Sequence, residues 1–187
     1  VAKESERLGH EANKKLAEAT EEVTKAQHLI QGYQADQTLI AQAVPLTQPS
    51  HAMLRHWKEF FSVPLGVAIS LPPKKSMVQI DQAFVEKRET SENVSSTIDT
   101  PWLTIAPYDE QREQTLTHDL TETTPVSFSI KGRLLLGTRG KSADMPAWVY
   151  VLRVRGAVTS THLLWAKSSP DQSAQDILDI FSTLSFR

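Results

Sequence analysis

The stretch AWVYVLRVRGAVTSTHLLWAKSSPDQSAQDILDIFSTLSFR, residues 147–187, decides the fold, because its hydrophobic period changes within it. Apolar and polar residues first alternate with a period of two, which predicts strands over Ala147–Arg155 and Thr161–Lys167 joined by a tight connection at Gly156-Ala157. The period then lengthens. Ser169 is placed as an N-cap, Pro170 at the first helical position and Gln172 as a capping-box partner, so a helix is expected to follow. Its inward stripe is Ala174, Ile177, Leu178 and Phe181, and Leu184 and Phe186 form a short terminal strand or tail. The expectation is a helix lying across an antiparallel sheet.

Upstream, the period of two predicts further strands at Gly66–Leu71, Met77–Lys87, Trp102–Ala106 and Val126–Gly137. Gly137 to Pro146 reads as a turn-rich hairpin connection, and the polar interval Glu89–Thr100 reads as a loop. Glu110–Thr124 is read as helix or turn with Leu116 and Leu120 inward. Between Ser50 as N-cap and Phe61, the residues Met53, Leu54, Trp57, Phe60 and Phe61 follow helical spacing and predict a short helix covering the sheet.

The first part of the chain is different. From about Lys3 to Val44 it is rich in Ala, Glu, Lys and Gln and has no proline before Pro45. One apolar column is Leu16, Val23, Ile30, Gln37 and Val44, and the other is Ala12, Ala19, Ala26, Tyr33 and Ile40. Steps of four and three put both on one seam, as in a coiled coil. Gln37 and Gly9 weaken the seam, and Gly32 costs the helix about 1 kcal/mol relative to alanine. The helix interface is accordingly assigned to Leu16, Ala19, Val23, Ala26, Ile30, Tyr33 and Ile40, facing a copy of itself or a partner helix. The rival readings are packing on the chain's own domain and a bare spacer. The organisation expected is a coiled-coil-like helix over 1–44, a linker over 45–50 and an α+β domain over 51–187.

The order of elements from Phe128 to Phe186, with Phe128-Ser129-Ile130, Trp148-Val149-Tyr150-Val151-Leu152, His162-Leu163-Leu164-Trp165 and Ile177 to Phe186, resembles the end of a PsbP-like or DcrB-like domain. Gly66–Pro72 would be its opening strand. The resemblance implies an α/β/α sandwich acting as an accessory, assembly or binding module, often periplasmic, lumenal or lipoprotein-anchored, with some related domains cytoplasmic chaperones. It carries over no functional residue, and the long helix departs from the family pattern.

Composition narrows the chemistry. The 187 residues contain no cysteine, which excludes thiolate catalysis, cysteine-ligated zinc and disulfides. A net charge of −2 argues against nucleic acid as partner. The first residue is Val1 rather than Met, so the chain is expected to be processed or truncated, and any signal sequence, lipid anchor or membrane helix would precede it. Among six histidines no pair has metallohydrolase spacing. His118-Asp119 and His162 are read as ordinary polar and rim residues. Gly137-Thr138-Arg139-Gly140-Lys141-Ser142 lacks the first glycine and the following helix of a phosphate loop. Asn93-Val94-Ser95 is a glycosylation triplet that matters only in a secreted eukaryotic chain. No cofactor or metal is called for.

Charge is uneven, with eight basic against four acidic residues over 126–187. Lys131, Arg133, Arg139, Lys141, Arg153 and Arg155 could gather as a patch for an anionic partner or lipid headgroups. The sequence therefore reads as a non-enzymatic, protein-binding component of an envelope or membrane-associated assembly, periplasmic or otherwise extracytoplasmic. The alternatives are a cytoplasmic chaperone or adaptor holding an apolar client helix, and a hydrolase whose site is not recognised.

Overall fold

The computed structural model describes residues 2–46, 56–88, 103–143, 147–168 and 174–187. The chain divides into two compact units, Val1–Thr38 and Leu39–Arg187. The first is helical. Helix α1 spans Ala2–Gln42 and is about 60 Å long at 1.5 Å per residue. Its polar surface carries the i,i+4 pairs Lys15–Glu11, Lys14–Glu18 and Lys25–Glu21, each contributing roughly 0.2–0.5 kcal/mol.

The second unit is α+β, built on a large, mostly antiparallel sheet. Strand β1 is Val44–Pro45 and β2 is Lys58–Ser62; β3 is Val67–Leu71, β4 Lys75–Ile80, β5 Ala83–Arg88 and β6 Leu103–Pro107. Helix α2 (Glu110–His118) leads into β7 (Leu120–Ile130), β8 (Arg133–Ser142), β9 (Trp148–Arg155) and β10 (Ser160–Lys167). Helix α3 (Ala174–Ser182) and β11 (Ser185–Phe186) follow. Eight strands pair in the order β1-β7-β8-β9-β10-β6-β5-β4, all antiparallel except β1 on β7. A second sheet has the order β11-β3-β2.

The main core lies between the large sheet on one side and the small sheet with α3 on the other. Phe128, Leu135, Tyr150, Leu152, Ile105 and Leu164 face Ile69, Leu71, Ile177, Phe181 and Leu184 across it, and all are buried. Phe181 contacts Tyr150 edge-on and Phe128 at a tilt, with ring centroids 6.2 and 6.3 Å apart. The opposite sheet face buries Val149, Val151 and Leu163 with Leu116, Leu120, Tyr108 and Trp165 packed on them. Asp109 caps α2 by accepting the Arg112 N–H at 2.9 Å, and Glu110 and Glu113 in the first turn complement the helix dipole.

The terminal helix with its Ile177, Leu178 and Phe181 stripe and the terminal strand stand as the sequence predicts. Several expectations need correction. Residues 126–137 are not one strand: the chain reverses at Lys131-Gly132, both at positive φ, and β8 runs on to Ser142. The expected hairpin loop from Gly137 is thus strand, and its glycines are sites of close approach rather than flexible turns. Likewise Met77–Lys87 is a hairpin turning at Asp81, which takes a φ of 51°. Phe60 and Phe61 sit in β2, whose pairing with β3 overrides their helical spacing. Val44 leaves the helical seam, because Val44 and Pro45 add to β7 beside Val126 and Ser127, and Leu46 donates to the Ser127 carbonyl at 2.8 Å. Pro45 and Leu46, expected in a linker, are thereby tied to the sheet. The expected N-caps Ser50 and Ser169, the loop at 89–100 and the glycosylation triplet lie outside the described residues.

Candidate functional site

Three features are candidates: the helix seam, the basic residues and the polar groups buried beside the two cores. The seam is open to solvent. Leu16 is 68% exposed, Val23 55%, Ile30 57% and Tyr33 57%. Ala19 and Ala26 are exposed between them, while Ile40 is half-buried. Leu8 and Leu29, which the two-column reading omits, are exposed as well and widen the stripe on one flank. Leaving this much apolar surface in water is unfavourable by about 25 cal/mol per Å² relative to covering it. Burying it in a helix pair would also supply the tertiary support that a helix of this length lacks by itself.

The six basic residues do not gather. Strands β8 and β9 do pair, but the register sets Leu135 against Val154 and Arg139 against Tyr150. Arg133, Arg139 and Lys141 therefore share the sheet face of Tyr150, whereas Arg153 and Arg155 lie on the other. On the first face Arg139 and Lys141 stand over the Trp148 ring, 4.8 and 5.3 Å from its centroid, and Lys141 pairs with Glu122 at 2.7 Å. Lys131 is in the turn at the far end of β8. On the second face Arg153 is consumed by α2: it donates to Glu113 Oε1 at 2.6 Å, and Tyr108 donates its hydroxyl to Glu113 Oε2 at 2.9 Å. Burial and the Glu113 carboxylate push the Tyr108 hydroxyl far above its ordinary value, so it stays a donor. The trio fastens α2 to the sheet. Alternation within each strand is legible in sequence; the parity between strands is not, and the patch depended on it.

His118 and His162 sit in different surroundings. His118 is exposed and lies 3.2 Å from the adjacent Asp119 carboxylate. His162 links the two sheets: its Nε2 is 2.8 Å from the Leu65 carbonyl, its Nδ1 is 2.8 Å from Thr161 Oγ1, and its ring lies 5.3 Å from that of Phe186. The carbonyl can only accept, so Nε2 carries the proton in the neutral ring. Burial holds the imidazole below its ordinary pKa, the Leu65 bond opposes that, and the Arg133 charge reinforces it. Protonation is thus disfavoured in the fold. The stability it supplies is complete above the unfolded value of about 6.5 and is lost as pH falls below it. Denaturant midpoints of the wild type and His162→Gln should converge on going from pH 7.5 to pH 5; a gap independent of pH would mean that the ring does not titrate with unfolding.

A crevice at the edge of the core is lined by Lys75, Glu86, Leu103, Lys167, Ile177 and Phe181. Glu86 is buried there with Lys75 at 3.4 Å. This pair sits on adjacent strands of the β4–β5 hairpin and neutralises itself. Among the described residues no group of three or more histidines and carboxylates is placed to hold a metal ion, and no helix is long and apolar enough to cross a membrane.

No family model and no curated protein matches the chain. A crystal structure of a protein from Bacteroides thetaiotaomicron VPI-5482 is similar, with a TM-score of 0.43 and 10% identity, over 71% of this chain and 49% of that one. The chain spans about half the length of that solved protein.

Proposed function

We propose that this protein is a non-enzymatic component of a membrane-associated or envelope assembly, holding its place through the apolar seam of α1. Its α+β unit is read as a PsbP-like or DcrB-like binding module in an extracytoplasmic compartment. The observation that carries the proposal is the exposure of Leu16, Val23, Ile30 and Tyr33 along one line of a 41-residue helix. An apolar line repeating every seven residues is what a partner helix needs for knobs-into-holes packing. The absence of cysteine is compatible with an oxidising compartment.

The test is the size of the native particle. Gently extracted protein should sediment well above the mass of one chain, and Val23→Asp with Ile30→Asp should reduce it to the single chain while leaving the thermal transition of the α+β unit unchanged. Two buried carboxylates per helix are incompatible with a packed seam. If the wild type extracts as a single chain, or if the particle survives both aspartates, assembly through α1 is wrong.

A further inference from the structure

We infer that the partner of α1 is a second copy of α1, running antiparallel and in one particular register. This rests on reading α1 as an assembly element and specifies what occupies its seam. In an antiparallel pair the two core columns of one helix face the opposite columns of the other. Taking Val23 against Ala26 of the second copy sets every other layer: Leu16 meets Tyr33, Ile30 meets Ala19, Gln37 meets Ala12 and Gly9 meets Ile40. Four of these five layers set a larger side chain against alanine or glycine, and Leu16 with Tyr33 is the one layer of two large side chains. The positions that looked like defects, Gly9 and Gln37, find complementary partners, an isoleucine and an alanine. A parallel pair would instead stack Gln37 on Gln37, alanine on alanine three times, and Tyr33 on Tyr33.

The flanking charges select the register. In the arrangement above, Lys15 of each copy lies beside Asp36 of the other, twice per dimer, and Glu22 lies beside Leu29. The Lys15 side chain is 73% exposed and can reach across while keeping its own Glu11 in range. A slip of one heptad in one direction sets Glu22 against Glu22. A slip in the other sets Glu22 against Asp36. Both place acid on acid, which is unfavourable. A slip of two heptads brings Lys15 to Glu22 but puts Ile30 against Ser5 and leaves Ile40 with no opposite layer. A parallel pair brings no opposite charges together at these flanks. Among these arrangements only the first brings opposite charges together without setting acid on acid or leaving Ile40 with no opposite layer.

The 187 residues contain no cysteine, so a single label site is clean. Arg7 is exposed, on the side of the helix away from the seam. With Arg7→Cys carrying a nitroxide, the inferred dimer places the two labels about 52 Å apart by the rise of 1.5 Å per residue. The slipped registers give about 42, 63 or 31 Å by the same rise, and a parallel pair gives less than about 25 Å. A pulsed dipolar measurement on the full chain should find the first of these. Lys15→Glu should weaken the dimer by roughly ten-fold, and Lys15→Glu with Asp36→Lys should restore it. A purified chain that stays a monomer at several hundred micromolar, any of the other distances, or a failed charge-swap rescue would overturn the inference. A monomeric purified chain beside a large native particle would do so while leaving the assembly reading intact, because the partner would then be another protein.

Discussion

Gly137→Ala prevents β8 and β9 from pairing as they do. A Cβ at that position would lie 1.9 Å from the Val151 carbonyl oxygen and 2.9 Å from the Leu152 Cα. Both obstacles are backbone atoms, so no change of rotamer relieves the overlap; the strands themselves must separate. Gly137 sits opposite Val126 on one side and Leu152 on the other, in the middle of the sheet and over the main core. A glycine inside a strand often marks this kind of backbone approach. The expected loss is on the order of 4 kcal/mol or more, at the exceptional end for one substitution and close to the whole stability of a marginal domain. Gly32→Ala in α1 is the contrasting control: nothing lies within 4 Å of a Cβ there, and helix propensity should rise by about 1 kcal/mol. Guanidinium titrations of the two variants, monitored at the α+β unit, should show collapse for the first and no loss for the second. A Gly137→Ala protein with wild-type stability would contradict the strand spacing described here.

Phe181→Ala should cost about 3–5 kcal/mol. The side chain is fully buried, and its ring meets Phe128 and Tyr150 from two strands of the large sheet. Removing it loses the transfer energy of the ring and opens a cavity that strands on one side and α3 on the other cannot easily close. The denaturant midpoint should fall with the slope unchanged. A loss below about 1 kcal/mol would mean that α3 does not dock on the sheet through this residue.

The parts of the fold legible in sequence are those where local chemistry and tertiary placement agree. In α3 the apolar spacing leads straight to the buried face of Ile177, Leu178 and Phe181. The long helix is legible for the same reason, and so is its seam. What was not legible has a physical cause in each case. Lys131 and Asp81 both adopt positive φ in two-residue turns. Neither Lys131-Gly132 nor Asp81-Gln82 is the Asn-Gly or Asp-Gly pair that announces a hairpin, so two hairpins read as two long strands. Phe60 and Phe61 are compatible with either period, and the edge of β3 decided between them. Glu113 and Arg153 are forty residues apart, and nothing local links them. The basic patch required Arg153 to share a face with Arg133, which only inter-strand register could supply.

Strand β3 has a consequence in time. Its two neighbours are β2, a few residues upstream, and β11, whose Ser185 and Phe186 pair with Ala68 and Val67 from the other end of the chain. Thr183 strengthens the same junction by accepting the Ser70 N–H at 2.9 Å. While the chain is being synthesised, one hydrogen-bonding edge of Val67-Ala-Ile-Ser-Leu71 must therefore wait for more than a hundred further residues. An apolar strand with an unsatisfied edge is a template for pairing between nascent chains, and closing so distant a contact is intrinsically slow. The hazard is kinetic, confined to the interval before residue 186 arrives. Production yield should respond more to the rate of synthesis and to chaperone supply than to any change in the stability of the finished fold.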